Sequence, residues 1–151
     1  MPRLNETYMY KLDRLKLLVQ IEIDTILSQR IRGLSMSQFF LIFAVKDLIN
    51  PNQSQIAAYL NVSGAAISRQ VTVAEVNGLI EVSKNRELNQ NILSLTKKGL
   101  NTFCQAYQIV NIHLLDIFQN SEDLDGLSGH LDKLLIKSKE GISNGYQNIN
   151  A

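Results

Sequence analysis

The 151-residue sequence predicts a mainly α-helical chain with one small β-hairpin, in which a helix-turn-helix and the hairpin lie between long terminal helices. Three observations carry that prediction. Apolar residues recur at steps of three and four over most of the chain. A four-residue break, Asn61-Val62-Ser63-Gly64, is short enough to be the turn between two packed helices. Residues 79–95 alone change to short, partly alternating segments.

The elements follow in order. Leu4, Tyr8, Leu12, Leu15, Val19, Ile23 and Ile26 form one face of a helix over about residues 5–31, and Leu17 and Ile21 form a second stripe on it. Gly33 marks its stop. Ser35-Met-Ser-Gln38 has the form of a capping box before the run FFLIFAV, which predicts a helix over about 36–49. Asn50-Pro51-Asn52 is a turn, and Asn52 to Gln55 has capping-box spacing again, opening a helix to about Leu60. Asn61 suits the left-handed backbone of a tight turn, and Ser63 caps a helix over about 64–77 that Asn77-Gly78 ends. Leu79–Val82 and Asn91–Leu95 are the strands, with the polar run SKNRELNQ between them. Thr96 caps a helix over about 97–118, and Ser121 caps a last helix whose apolar line is Leu124, Leu127, Leu131 and Leu134. The polar end ISNGYQNINA is expected to fray.

Composition narrows the function classes. The chain is 45% hydrophobic and 19% charged, enough to bury a core and unlike a disordered chain. A formal net charge of +1 gives no overall attraction to nucleic acid or membrane, so any such binding depends on local placement of charge. Cys104 is the only cysteine, which excludes an intrachain disulfide and fits a reducing compartment. No signal-peptide pattern is visible, and no apolar run approaches the roughly 18 residues of a membrane span, so a cytoplasmic location is expected.

Within residues 53–80, Ile56 and Leu60 are the expected inner face of the first short helix, with Ala57 small where the helices cross and Val62 plugging the turn. Ile67 and Val71 are the inner face of the second helix. Its outer face is Gly64, Ala65, Ser68, Arg69 and Thr72, small or polar residues that permit close approach to another surface. Spacing alone also allows a helical hairpin in an ordinary core. The hairpin that follows favours a winged helix.

The segments QSQIAAYLNVSGAAISRQV, NGLIEVS and LSLTKKG resemble the MarR family of bacterial winged-helix transcription regulators. The ISR tripeptide and the LTKKG element are the most specific pieces, and the resemblance spans roughly residues 5–138. It implies a homodimer on a pseudo-palindromic double-stranded DNA operator, with residues 5–33 and 97–138 as the dimerisation region, 34–96 as the DNA-binding domain and 139–151 as a tail. The apolar stripes on more than one face of the terminal helices agree with a dimer, since leaving them in water is unfavourable. The resemblance also implies a regulator, repressor or activator, open to a small-molecule effector.

By the same resemblance the groove-facing set is Ser63, Gly64, Ala65, Ser68, Arg69 and Thr72, with the wing over about 80–95 near the minor groove. Arg69 is the leading candidate, because a guanidinium can pair with guanine O6 and N7 or clamp a phosphate. The sequence departs from the family in the wing. Where relatives carry Asp-x-Arg, this chain has Glu87 and Asn89, and Lys84 and Arg86 at the tip are the candidate substitutes. Lys97, Lys98 and the basic residues Arg3, Lys11, Arg14 and Lys16 are further candidates for phosphate contact. Arg69 is the sole cation between residues 53 and 80, which predicts a shallow salt dependence.

No catalytic constellation, metal-ligand spacing or Gly-rich phosphate loop is visible, so neither an enzyme nor a cofactor is expected. Cys104 is expected to be a buried structural thiol. Tyr8, Phe39, Phe40, Phe43, Phe103 and Tyr107 are read as core, with an effector pocket as the alternative. The competing functional reading is a winged-helix protein that has lost strong DNA binding and acts as a protein-interaction module, motivated by the missing wing arginine.

Overall fold

The computed structural model describes residue 3 and residues 7–85, 89–118 and 126–137. The chain divides into two units, residues 1–110 and 111–151. In chain order the elements are α1 (Tyr8–Arg30), α2 (Met36–Asp47), α3 (Gln53–Leu60), α4 (Gly64–Val76), β1 (Ile80–Asn85), β2 (Gln90–Leu95) and α5 (Lys97–Phe118). Residues 126–137 are helical as well. The helix-turn-helix, the hairpin and the long helices on either side of them are therefore as the sequence predicts. The Ser121 cap and the 139–151 tail lie outside the described residues.

Local signals explain most boundaries. Thr7 accepts from the Tyr10 N–H at the start of α1. At α3 the capping box is complete: the Asn52 side chain accepts from the Gln55 N–H, and the Gln55 side chain accepts from the Asn52 N–H, both at 2.9 Å. Asn61 ends α3 in the left-handed region, at φ 52° and ψ 48°, which asparagine tolerates. Ser63 caps α4 by accepting from the Ala66 N–H at 3.2 Å.

Ser35 behaves differently from the capping box its sequence suggests. Its hydroxyl does accept from the Gln38 N–H, but the Gln38 side chain does not turn back to the cap. Gln38 is buried, and its Nε2 donates to the Gln70 carbonyl of α4 at 3.1 Å. The Asp24 carboxylate of α1 contributes at the same helix start, accepting from the Met36 N–H at 2.7 Å.

The core of the first unit gathers round α2, which alone buries Phe39, Leu41, Ile42, Ala44 and Val45. Ile56 and Ala57 of α3, Ile67, Val71 and Ala74 of α4, and Phe103, Ala106 and Val110 of α5 join it. Phe39 stacks on Phe103 with ring centroids 6.2 Å apart, and Phe43 meets Phe103 edge-on at 5.5 Å. Phe39 and Phe103 are thus core, as expected, whereas Phe40 and Tyr107 are exposed at the edge of the ring cluster and Tyr8 is 86% exposed.

Three burial expectations need correction. Only Ile23 and Leu27 of α1 are buried, and Leu27 was not on the expected stripe. Leu12, Leu15, Leu17 and Ile21 are exposed, because no other element of the unit covers the N-terminal part of α1. Val62 does not plug the turn; it is exposed. Cys104 is exposed too, on a side of α5 away from Phe103 and Ala106.

The hairpin is antiparallel and longer than predicted. Pairing runs from Ile80 opposite Leu95 to Asn85 opposite Gln90, so the strands extend into the polar run. That register sets Ile80 and Val82 beside Leu95 and Leu93 on one face. The base of the hairpin is tied to the helices: the Leu93 N–H donates to the Pro51 carbonyl at 2.8 Å, and Asn52 Nδ2 donates to Gln90 Oε1 at 2.8 Å. Thr96 joins three elements. Its hydroxyl donates to the Gly78 carbonyl at 2.6 Å and accepts from the Gly99 N–H at 2.9 Å, which makes it the cap of α5.

Candidate nucleic-acid interface

The helix-turn-helix holds α4 by one side only. Ile67, Val71 and Ala74 are buried, and Gln38 reaches the Gln70 carbonyl from α2. The opposite side is free. Ser63, Gly64, Ala65, Ser68, Arg69 and Thr72 are all exposed, on the N-terminal cap and the outward face of a single helix. The six residues expected at a major groove are therefore brought together.

Gly64 has no structural need to be glycine. A Cβ there would meet nothing within 4 Å, and its φ lies outside the left-handed region. It opens α4, so its N–H and that of Ala65 lie in the first turn of a helix, where a phosphate would be welcome. Ser63 already accepts from Ala66, which leaves its hydroxyl hydrogen available as a donor. The Thr72 hydroxyl, by contrast, donates to the Ser68 carbonyl at 3.0 Å.

Lys84 is exposed on β1, opposite Asn91 and one pair from the outermost pair of the hairpin. Arg86 and Glu87 lie outside the described residues. Asn89 has φ 48°, a left-handed turn position that asparagine accepts more readily than arginine does. Asn89, which the resemblance sets opposite the family's wing arginine, thus occupies a turn position.

Lys98 is committed elsewhere. Its Nζ donates to the Asn77 carbonyl at 2.7 Å, capping the C-terminus of α4 with a cation. Lys97 is exposed. Two residues beyond the expected set also lie on the outward face: Val73 and Val76, 48% and 82% exposed. They continue the stripe of Arg69 at helical spacing, which is the signal that would have found them.

Among the described residues, no group of three or more His, Cys, Asp or Glu is placed to hold a metal ion, and no helix is long and apolar enough to cross a membrane.

Residues 34–87 match the MarR family model. No curated protein matches the chain by sequence. Solved structures share the fold. The transcriptional repressor CouR bound to a 23-mer DNA duplex matches with a TM-score of 0.77 at 23% identity, over 87% of this chain and 94% of that one. The S. aureus MepR–DNA complex matches with 0.72 at 18% identity, over 88% and 97%. CouR from Rhodococcus jostii RHA1 bound to p-coumaroyl-CoA matches with 0.74 at 16% identity, over 87% and 93%. The family match covers α2, α3, α4 and β1, and the chain as a whole shares the fold of these solved structures.

Proposed function

We propose that the chain is a dimeric, cytoplasmic transcription regulator that binds a pseudo-palindromic operator in double-stranded DNA. Helix α4 enters the major groove through Ser63, Gly64, Ala65, Ser68, Arg69 and Thr72, and the hairpin lies near the minor groove with Lys84 and Arg86. The observation that carries this reading is the outward face of α4 with its cap: six small, polar or cationic residues, all exposed, one of them an arginine. The DNA-bound structures of CouR and MepR, which share the fold, support it.

Residues 5–33 and 97–138 form the dimerisation region, and 34–96 the DNA-binding domain. Exposed apolar side chains support that division. Leu12, Leu15, Leu18 and Ile21 line α1, and Leu131, Leu134, Leu135 and Ile136 are exposed on the helix at 126–137. Their burial against a second copy is the favourable outcome. Control by a small-molecule effector is part of the same proposal, supported by the ligand-bound CouR structure. Such a ligand acts by favouring one spacing of the two reading heads over another.

The test is duplex binding over a salt series, with sequences recovered from a random pool. Retention of a two-fold-related sequence is the expected result. Absence of binding at low salt overturns the proposal and favours a protein-interaction module.

A further inference from the structure

The outward face of α4 carries more methyl groups than charge. Ala65 lies one turn before Arg69, Val73 one turn after it, and Thr72 three residues after it. All are exposed, and none belongs to the share of the core that α4 supplies. A β-branched valine at an exposed helical position is slightly worse than alanine for the helix. Val73 lies outside the buried set of α4 and leaves about half of its surface open to a ligand. Thr72 has its only hydroxyl donor engaged by the Ser68 carbonyl, so its methyl is the more available part. A ligand approaching α4 meets a guanidinium bracketed by methyl groups.

Arg69 is the sole cation from residue 53 to residue 80. Phosphate neutralisation by this element is small, and discrimination has to come from short-range contact with base edges. In the major groove only thymine presents a methyl group, and guanine presents the paired acceptors that suit arginine.

We propose that α4 reads thymine methyls through Ala65, Thr72 and Val73, with Arg69 addressing a guanine among them, so that each half-site is A·T-rich around one G·C pair. The inference rests on the DNA-binding reading above and adds the bases to it. Each buried methyl is worth about 0.8 kcal/mol, or about fourfold in affinity.

The experiment uses the full chain and a duplex recovered from a random pool. Thymidine is replaced by deoxyuridine, one position at a time, which removes the 5-methyl group alone. The expected result is a loss of about fourfold at two or more positions in each half-site. Val73→Ser or Thr72→Ser should abolish the thymine preference at one of those positions, with circular dichroism confirming the fold. Equal affinity for the thymine and uracil duplexes overturns the inference while leaving DNA binding intact. So does a thymine preference that survives in both variants. Failure to bind any duplex overturns the DNA-binding reading itself, and the apolar stripe then belongs to a protein contact.

Discussion

Gly99 packs so closely on Leu79 that a Cβ at Gly99 would overlap the Leu79 carbonyl. The same carbonyl accepts from the Thr96 N–H at 3.1 Å, so it cannot move away without breaking the junction of the hairpin and α5. Gly99→Ala is expected to destabilise the protein by about 1–3 kcal/mol, the range for overpacking, read as a lower urea midpoint. Gly64→Ala is the contrast. It meets open space at the start of a helix and should leave the midpoint unchanged or raise it. DNA affinity should still fall, because the new methyl stands where the groove approaches. An unaltered affinity would mean that α4 stays clear of DNA at this point.

Arg69 separates two kinds of contact. If it pairs with guanine, Arg69→Ala relaxes sequence preference at one position per half-site and costs about 1–3 kcal/mol of discrimination. If it clamps a phosphate, affinity falls evenly across sequences and the salt slope drops by about one per head. The structure favours the first outcome, since Arg69 lies mid-helix between Ala65 and Val73 and away from the Ser63 cap. Competition between duplexes mutated at each position provides the readout.

Gln38 presents a buried amide that is only half satisfied. Its Nε2 donates to Gln70, but its Oε1 has no hydrogen-bond partner. Methionine has nearly the same shape and no polar atom to satisfy. Gln38→Met is expected to be neutral or to stabilise by about 1 kcal/mol, since an unsatisfied buried acceptor costs about that much or more. A loss beyond about 1 kcal/mol in denaturant unfolding would show that the Gln38–Gln70 bond outweighs the orphaned oxygen.

Tyr59 of α3 donates to the Asp47 carboxylate of α2 at 2.7 Å. That hydrogen bond, then partial burial, then the carboxylate charge all raise the phenol above its usual pKa of 10.0. The folded state therefore holds this proton more tightly than the unfolded chain. The resulting stabilisation is complete below the unfolded value and is lost as pH climbs through the folded one. Tyr59→Phe should remove a phenol that ionises above its usual range from an absorbance titration and should flatten the alkaline fall in stability. At neutral pH the cost should be small, because the pair is exposed.

How much of this was legible in the sequence follows from the range of the interactions. The capping box at Asn52 and Gln55, the Ser63 cap, the left-handed Asn61 and the Thr96 cap were all readable, because each joins groups no more than about four residues apart. They placed the helix-turn-helix and, through it, the outward set around Arg69. The exposure of Gly64, Ala65, Ser68 and Thr72 followed from helical period once Ile67 and Val71 were assigned to the core.

Tertiary structure decided what lay beyond that range. Gln38 has the spacing of a capping residue, yet its amide goes to Gln70, thirty-two positions away, because burial against α4 offers it no water. Lys98 looked free for phosphate until the end of α4 came within reach of its ammonium. The apolar stripes of α1 specify that something must cover them, but a periodic pattern carries no address for the covering surface. Within the first unit only Ile23 and Leu27 of α1 find cover, and the proposed second copy is the surface left for the rest. Local hydrogen bonds are fixed by neighbours in sequence, whereas burial depends on which distant surface arrives, and only the folded arrangement names it.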